Sequence, residues 1–213
     1  MKKLGIIGSG VVGKVLAAGY KKHGYQVMLG SGDQTKREQI KKETGIETGS
    51  FDEVAAFGEI VILAVKGVVA EKVISGIAGR ISGKTVIDTT NPIAEVPPVN
   101  GVIGYFTSLD NSLLERLQRL APAANLVKAF NSVGNAFMID PDFGQKPSMF
   151  ICGNSVSAKN EVRSLLEEVG WEAEDMGMVE AARAIEPLCM LWCIPGFLEN
   201  EWSHAFKLLK KKN

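Results

Sequence analysis

Short apolar runs alternate along the chain with longer segments in which apolar residues recur every three or four positions. The first pattern is typical of buried strands, and the second is typical of helices that pack against a sheet. The strand-like runs are Lys3–Ile7, Gln26–Gly30, Glu59–Val65, Lys84–Asp88 and Asn125–Ala129. The helix-like segments are Val11–His23, Gln34–Glu43, a short helix after Ser50, Val68–Ala78 and Asn111–Leu120. This alternation predicts about six strands in a doubly wound, mainly parallel α/β sheet.

The composition changes at the turn-rich stretch Asp140–Gly144. A strand at Ser148–Cys152, a helix at Val156–Val169 and a strand at Trp171–Glu174 are predicted after it. These elements form a small C-terminal α/β extension. We therefore predict two domains, residues 1–145 and residues 146–213.

The segment Leu188–Trp192 is apolar on all sides. It predicts a helix that is buried in the core, beneath a substrate, or in a homodimer formed by the C-terminal apolar helices. Pro187 is expected to begin this helix, and Pro195-Gly196 is expected to end it. A last amphipathic helix should follow, with a solvated cationic end. Its apolar set is Phe197, Leu198, Trp202, Ala205, Phe206 and Leu209, and its cations are Lys207, Lys210, Lys211 and Lys212.

The first strand leads directly into Gly8-x-Gly10-x-x-Gly13, and the first helix follows at once. Gly8 permits a tight turn, Gly10 has no side chain to keep a pyrophosphate away, and Gly13 lets the helix pack closely on the strand. The N–H groups and positive dipole end of that helix would face the phosphates. A second strand comes next, which is the context that a dinucleotide-binding turn requires. We predict a Rossmann-type nucleotide site here; a glycine turn kept only for packing is the alternative.

The second strand ends in Gly30-Ser31, at the position where NAD-specific folds place an acidic residue that binds the ribose 2′-OH. A hydroxyl at Ser31, with Lys36 and Arg37 one helical turn further on, suits a 2′-phosphate and therefore NADP. Asp33 adds a negative charge to the same loop, and it could instead cap the next helix.

Polar residues also follow the later strands, at the edge where ligands bind in open α/β sheets. Asn91-Pro92 comes after the strand that ends at Asp88, and Asn131 comes after the strand that ends at Ala129. Val65 and Lys66 close the apolar strand and belong to the same predicted site. Asn91-Pro92 is a candidate to lie against the nicotinamide, although an ordinary Asn-Pro turn fits the sequence equally well. The Pro- and Gly-rich segment 94–107 that follows has the length of a functional loop.

Composition and charge limit the partners of this chain. Of 213 residues, 46% are apolar, and 24 basic residues balance 24 acidic ones, so neither nucleic acid nor an anionic membrane is indicated as a general partner. Three cysteines argue for a reducing compartment and against a disulfide framework. Met1 leads directly into the first strand without a signal pattern. Apolar runs stay shorter than the ~18–20 residues of a membrane helix. We expect a soluble cytoplasmic protein.

No acid–base or nucleophilic set is recognisable in the sequence. The two histidines, His23 and His204, are not near the carboxyl end of a predicted strand, and no metal-binding motif is present. Dehydrogenases that act on alcohols or amines need a group to move the substrate's proton. Hydride exchange between two planar redox coenzymes needs stacking and the exclusion of water instead. The chain fits the second kind of reaction better.

The chain resembles the NADP-dependent coenzyme F420 oxidoreductase family and, equally, the cytosolic NADPH–flavin domain of the six-transmembrane metalloreductases. The resemblance extends from Leu4 to about Leu191. The matching segments are Gly8–Gly13, Leu29–Ser31, Asp88–Pro92, Val127–Asn131, Ile151–Gly153, Asp175–Gly177 and Glu186–Leu188. It implies an oxidoreductase that moves a hydride between NADP(H) and F420, FMN or FAD.

The resemblance also implies residue roles. Ser9, Val11 and Val12 would cradle the pyrophosphate, Ser31 and Lys36 would hold the 2′-phosphate, and the nicotinamide would be bordered by Asn91, Pro92 and Asn131. The second coenzyme would lie against the C-terminal portion. The basic residues expected near the mouth of the cavity are few, namely Lys66, Lys128 and Arg183, and they do not separate F420 from FMN or FAD. Family members commonly carry Arg after the serine that corresponds to Ser31, whereas this chain has Gly32-Asp33.

Two other functions fit parts of the sequence. Imine and hydroxyacid reductases share the N-terminal fold, but they usually add a long all-helical domain, and about 65 residues with two predicted strands follow Ser148 here. A non-catalytic module that senses NADP(H) and binds another protein through the Leu188–Trp192 helix is the second alternative.

Overall fold

A computed structural model describes residues 2–211. Its main strands are β1 (Lys3–Ile7), β2 (Gln26–Gly30), β3 (Glu47–Gly49), β4 (Ile60–Leu63), β5 (Thr85–Asp88) and β6 (Asn125–Lys128). They form one parallel sheet in the order β3-β2-β1-β4-β5-β6. The chain winds outward from β1 in both directions, so all six carboxyl ends meet at one edge. The predicted doubly wound Rossmann-type fold is confirmed.

Helices cover both faces of this sheet. They are α1 (Val11–Lys22), α2 (Gln34–Thr44), α3 (Phe51–Phe57), α4 (Gly67–Ile77) and α5 (Leu113–Leu120). Neighbouring strand residues face opposite layers: Ile6 packs in the cluster that includes α1, and Ile7 packs in the cluster that includes α3, α4 and α5. Burial on both faces explains why β4 is apolar without interruption.

Strand β3 is the element that the apolar pattern does not predict. Its three residues are Glu47, Thr48 and Gly49, and it pairs only with β2 at the edge of the sheet. An edge strand of this length has no alternating apolar pattern, because only one neighbour and a few contacts define it. Helix α3 begins after Ser50 as predicted, with a capping box, whereas α5 begins at Leu113 rather than Asn111, with a second capping box at Ser112.

The C-terminal part contains β7 (Ser148–Ile151), α6 (Val156–Glu168), β8 (Glu172–Asp175) and α7 (Ala182–Glu199). Strands β7 and β8 form a separate two-stranded parallel sheet. The end of β7 meets the end of β6 through an antiparallel bridge, in which the N–H of Lys128 donates to the carbonyl of Cys152 at 3.0 Å. The predicted α/β extension is therefore present, while the domain boundary between residues 145 and 146 stays a prediction.

Two predictions about α7 are wrong. The helix begins at Ala182 rather than Pro187, and it continues through Pro195-Gly196 to Glu199, so both prolines lie inside it. Proline removes one backbone donor from a helix. Near Pro187, the carbonyl of Ile185 accepts a hydrogen bond from Asn131 Nδ2, and the carbonyl of Glu186 accepts one from the hydroxyl of Tyr105. These bonds stabilise the turn of α7 that contains the proline.

The predicted last amphipathic helix is also wrong. Asn200 takes a left-handed conformation that ends α7, and residues 200–211 form neither helix nor strand. Trp202 folds back onto Gly196, where an added Cβ would lie 2.3 Å from its ring. The tail then bonds to the start of β7, since the N–H of Ser148 donates to the carbonyl of Phe206 at 2.8 Å. Lys207 and Lys210 pair with Glu172 and Glu174 of β8, and Lys212 lies outside the described residues.

The segment Val179–Glu199 is long and apolar enough, by length and composition alone, to cross a membrane. Such a segment is weak evidence of insertion, because core helices of soluble proteins pass the same test. Its inward side chains, including Ile185, Glu186 and Trp192, are buried against the rest of the protein. The described chain is thus a compact body with this helix as part of it. Cys152, Cys189 and Cys193 are free thiols.

Candidate functional site

A cavity of about 640 Å³ opens at the carboxyl ends of β1, β4 and β5. Its lining comes from the glycine turn, from the first residues of α1 and α4, from α2 and α3, from the ends of β4 and β5, and from the segment after β5. The lining residues are Gly8, Ser9, Gly10, Val11, Val12, Lys36, Phe51, Ala64, Val65, Lys66, Gly67, Val68, Thr89, Thr90, Asn91, Ile93, Ala94 and Glu95. A cavity of this size suits a small-molecule ligand.

The three glycines of the turn have different structural roles. Gly8 has a φ of 118°, and an added Cβ would lie 2.3 Å from the carbonyl oxygen of Ala64. A Cβ on Gly13 would lie 1.8 Å from the carbonyl oxygen of Gly8. A Cβ on Gly10 would meet nothing within 4 Å. The fold therefore requires Gly8 and Gly13, whereas Gly10 only keeps the floor of the cavity open.

Two helix N-termini face this cavity. Gly10 is the N-cap residue of α1 and Lys66 is the N-cap residue of α4. No side chain makes a capping hydrogen bond at either helix. The first N–H groups of a helix have no intrahelical partners, so those of α1 and α4 are available to an anion. The exposed Lys36 and Lys66 side chains add two positive charges to the lining. The arrangement favours a ligand that carries phosphate groups.

Asp33, in the loop after β2, is the N-cap residue of α2. Its Oδ1 accepts a hydrogen bond from the N–H of Lys36 at 3.1 Å, so the carboxylate caps α2. Ser31 is buried, and its Oγ accepts from the N–H of Asp33 at 3.3 Å. Arg37 lies behind this loop and donates to the carbonyl of Ser31 at 3.4 Å. Of the residues predicted for a 2′-phosphate, Lys36 lines the cavity, whereas Ser31 and Arg37 lie beside it.

Asn91 and Asn131 lie together at the ends of β5 and β6. The Nδ2 of Asn91 donates to the carbonyl of Asn131 at 2.7 Å, and the Nδ2 of Asn131 donates to the Oδ1 of Asn91 at 3.3 Å. Asn91 reaches the cavity, while Asn131 is buried behind it. Gly67 allows this packing, because an added Cβ there would lie 2.0 Å from the carbonyl oxygen of Asn91.

Phe130 and Pro92 complete the region around the two asparagines. Phe130, just before Asn131, has a φ of 59°, which is unusual for a bulky residue and turns the chain sharply after β6. Pro92 is buried behind the cavity wall, and its carbonyl accepts from the N–H of Phe106 at 2.9 Å. The segment after β5 is thereby closed into a loop, because Pro92 and Phe106 both belong to it.

The expectation that Lys128 lies near a cavity mouth is wrong. Its side chain is completely buried, and its Nζ contacts Asp88 Oδ2 at 2.5 Å and Glu186 Oε1 at 3.0 Å. Burial alone would lower the pKa of Lys128, but the two carboxylates hold this pKa above its usual value. Lys128 therefore stays charged inside the protein and cannot contact a ligand in the cavity.

The C-terminal helix α7 borders a second, smaller cavity of about 230 Å³. It is lined by Tyr105, Thr107, Ser108, Leu109, Ser112, Arg183, Glu186, Pro187 and Met190. Arg183 does not stand free here, because it makes a two-point ion pair with Glu115, at 3.0 Å and 2.6 Å. This pairing, together with hydrogen bonds from Ser112, lowers the pKa of Glu115 to about 2. The larger cavity has no lining residue beyond Glu95 in the described part of the chain.

The main cavity brings together most of the predicted site residues. Gly8, Ser9, Gly10, Val11, Val12, Lys36, Val65, Lys66 and Asn91 line it. Gly13, Ser31, Arg37, Pro92 and Asn131 support it from behind, and the roles of all these residues stay predictions. Phe51, Gly67 and Ile93 also line it and were not predicted. Phe51 had a usable signal, since it follows the Ser50 cap at the same edge of the sheet.

Few groups in the cavity can transfer a proton. The ionisable side chains in its lining are Lys36, Lys66 and the exposed Glu95. His23 pairs with Asp140, and His204 stacks on Trp192, so neither histidine reaches the cavity. Within residues 2–211, no group of three or more His, Cys, Asp and Glu side chains is placed to hold a metal ion. The geometry supports binding and orientation more than acid–base chemistry.

Residues 3–92 match the family model described as NADP oxidoreductase coenzyme F420-dependent. These residues include the glycine turn, the loop after β2, and Asn91-Pro92. The match therefore covers the part of the chain that builds the main cavity, except for Ile93, Ala94 and Glu95.

Three similar proteins extend the comparison beyond residue 92. Metalloreductase STEAP3 of Rattus norvegicus is 28% identical over 201 residues, which cover 92% of this chain and 39% of that protein. The F420-dependent NADP reductase of Methanocaldococcus jannaschii is 28% identical over 161 residues, covering 73% of this chain and 72% of that one. The crystal structure of a candidate F420-dependent NADP reductase of Arthrobacter sp. FB24 has a TM-score of 0.90 at 28% identity, covering 99% and 100%.

The predicted resemblance to these two groups of proteins is confirmed. The chain spans about two fifths of the length of the rat metalloreductase, and nearly the full length of the Arthrobacter structure.

Proposed function

We propose that this chain moves a hydride between NADP(H) and a second planar redox coenzyme, either F420 or a flavin. The coarser part of this statement, an NADP-dependent oxidoreductase, is indicated by the family model and by the names of the relatives. The identity of the second coenzyme rests on the resemblance and on the chemistry that the cavity offers.

The observation that carries the proposal is the open floor of the cavity at Gly10. A glycine that no packing contact requires has space above it, between two helix N-termini and beside Lys36. A pyrophosphate fits this position because it can approach the backbone closely and meets N–H groups and positive charge. Lys36, with Ser31 behind it, would bind the 2′-phosphate of NADP. The carboxylate of Asp33 caps α2 and is therefore directed into its own helix.

The protein's own part in the reaction is to hold and orient. The glycine turn would fix the pyrophosphate, and Asn91 would orient the nicotinamide end through its side-chain amide. Ile93 and Ala94 provide apolar cover on that side of the cavity. When bound, the two coenzymes supply the redox chemistry, which requires close stacking and exclusion of water more than a protein acid or base. The scarcity of proton-transferring groups in the lining supports this kind of reaction over the reduction of an imine or a keto acid.

A titration followed by turnover assays tests the proposal. NADPH and NADH are titrated into the protein by calorimetry, and NADPH oxidation is then followed in stopped flow with F420, FMN or FAD as acceptor. We expect NADPH to bind more tightly than NADH, and one acceptor to be reduced. Tight NADPH binding without turnover on any acceptor would reject the enzyme and favour the NADP(H)-sensing module.

A cytoplasmic location and a homodimer belong to the same proposal. The three free thiols are compatible with a reducing compartment. The outer side of α7 exposes Leu191, Phe197 and Leu198, at 54%, 47% and 60%, which a second copy could cover. We propose that the homodimer forms through this apolar helix.

A further inference from the structure

A buried ion cluster lies directly behind the cavity wall. Lys128 Nζ donates to Asp88 Oδ2 at 2.5 Å, to Glu186 Oε1 at 3.0 Å and to the carbonyl of Thr90 at 2.9 Å. The three charged side chains are at most 2% exposed. An ammonium group has three N–H donors, so Lys128 is fully satisfied by these partners.

This cluster fixes a residue that lines the cavity. The Oδ1 of Asp88 accepts from both the N–H and the hydroxyl of Thr90, at 2.9 Å and 2.7 Å. Lys128 holds the carbonyl of the same residue. Both backbone polar groups of Thr90 are therefore bound to the cluster, which sets the position of the turn that continues into Asn91.

Glu186 connects this turn to two helices. Its carboxylate accepts from the N–H groups of Leu113 and Leu114, at 3.0 Å and 2.9 Å, at the beginning of α5. The positive charge of Lys128 and the positive end of the α5 dipole both stabilise this buried carboxylate. Glu186 itself lies on α7, so it joins the C-terminal helix to the edge of the sheet.

A second path leads from the same turn of α7 to the cavity. The carbonyl of Ile185 accepts from Asn131 Nδ2 at 2.9 Å, and Asn131 exchanges hydrogen bonds with Asn91. The carbonyl of Glu186 accepts from the hydroxyl of Tyr105 at 2.7 Å, which ties in the segment after β5. Residues 185–186 thus contact Lys128, Asn131 and Tyr105, which hold the Thr90–Asn91 wall and the segment after it, although neither residue lines the main cavity.

We infer that Glu186 is a positioning residue for the nicotinamide half of the coenzyme. It holds Thr90 through Lys128 and holds α7 in the place where Ile185 can orient the Asn131–Asn91 pair. The glycine turn, where the pyrophosphate and adenosine half would bind, is built without it. Loss of Glu186 should therefore affect one end of the coenzyme only. This inference rests on the proposed function, because it assumes that NADP(H) occupies the main cavity.

Two ligands that share the adenosine half separate this role from a general effect on folding. NADPH and 2′,5′-ADP, which has no nicotinamide, are titrated by calorimetry into the wild type and into Glu186→Gln. The amide keeps the size of the side chain but presents N–H donors to Lys128 or to α5. We expect the affinity for NADPH to fall about tenfold or more, and the affinity for 2′,5′-ADP to change less than about twofold.

Two further variants complete the experiment. Glu174→Gln is the matched control, because Glu174 is also a buried glutamate that pairs with a lysine, on β8 away from the cavity. It should bind both ligands as the wild type does. Tyr105→Phe removes only the hydrogen bond to the Glu186 carbonyl. It should show a smaller loss of the same selectivity, and it replaces Glu186→Gln if that protein does not fold.

The outcomes distinguish the possibilities. Unchanged NADPH affinity in the Glu186 and Tyr105 variants, or an equal loss for both ligands, overturns the positioning role. A wild type that binds neither ligand rejects the proposed function, and this inference with it. A loss confined to NADPH supports both.

Discussion

Gly10→Ala should abolish tight nucleotide binding and leave the fold intact. The backbone of Gly10, with φ of −72° and ψ of −174°, is one that alanine adopts without strain. The added methyl group would meet no protein atom within 4 Å. It would project into the space above the glycine turn, where we place the pyrophosphate.

The two effects differ in size. Alanine is a poorer N-cap than glycine, by about 0.5–1 kcal/mol, and it stabilises by about 0.4–1 kcal/mol through the unfolded chain. The free energy of unfolding should therefore change by less than about 1 kcal/mol. A displaced pyrophosphate would lose one or two charge-assisted hydrogen bonds, about 2–4 kcal/mol, which raises the Kd for NADPH about 30- to 1000-fold.

Calorimetric titration with NADPH and urea unfolding measure the two effects separately. Gly76→Ala is the matched control, because Gly76 lies in α4 with nothing within 4 Å of an added Cβ. It should be slightly more stable and bind normally. Gly13→Ala should fail to fold well, since its Cβ would lie 1.8 Å from the carbonyl oxygen of Gly8. If Gly10→Ala binds NADPH within about threefold of the wild type, the pyrophosphate does not lie over this turn.

The ion pair with Arg183 lowers the pKa of Glu115 from 4.5 to about 2, so its stabilisation is complete above pH 4.5 and is lost as the pH falls towards 2. Glu115→Gln should lower the free energy of unfolding in urea by about 1–2 kcal/mol at pH 7 and by less at pH 3, allowing for the partly exposed Arg183; a pH-independent difference would contradict this. Lys36→Ala should weaken NADPH binding about tenfold and leave NADH within about twofold, with a smaller effect for Arg37→Ala; equal losses for both nucleotides would remove Lys36 from the 2′-phosphate site. Leu198→Glu should convert the proposed homodimer to a monomer in light scattering, and a wild type that is already monomeric refutes that interface.

The fold could be predicted where the signal is local. The segment from Lys3 to Gly13 contains its strand, turn and helix start within eleven consecutive residues. Gly8 and Gly13 are required there by close backbone contacts, whereas Gly10 is not. Strand β3 gave no such signal, because three residues at a sheet edge are defined by their partner β2 and not by their own pattern.

The C-terminal errors arose because tertiary contacts override local preference. Pro195 inside a helix costs a hydrogen bond, but α7 buries residues from Ala182 to Gly196 and continues to Glu199. The following segment has the spacing of an amphipathic helix, yet Trp202 fills the space over Gly196 and the chain then bonds to β7. A periodic pattern shows which side chains will be buried; it does not show that a helix is the structure that buries them.

The same reasoning explains the misplaced Lys128. A lysine at the end of a strand is expected to reach solvent at the ligand-binding edge, and its partners are distant in sequence, at Asp88 and Glu186. Nothing near residue 128 indicates that two carboxylates will surround it. The sequence also predicts that Ser31 and Asn131 lie at the ligand-binding edge of the sheet. It does not predict that both side chains are buried there, because the strand pattern shows the edge and not the exposure of a side chain.

The distribution of charge around the cavity determines the orientation in which a dinucleotide would bind. The chain has equal numbers of acidic and basic residues, so affinity for a phosphate-bearing ligand cannot come from its net charge. Asp33 is occupied by its own helix, and Asp88 and Glu186 face Lys128 behind the wall. The glycine turn is thereby left with helix N-termini and Lys36, while Glu95 lies on the segment after β5. A dinucleotide would enter with its phosphates towards the turn and its uncharged carboxamide towards Asn91, because the reverse orientation would place phosphates beside Glu95, the only carboxylate of the lining among residues 2–211.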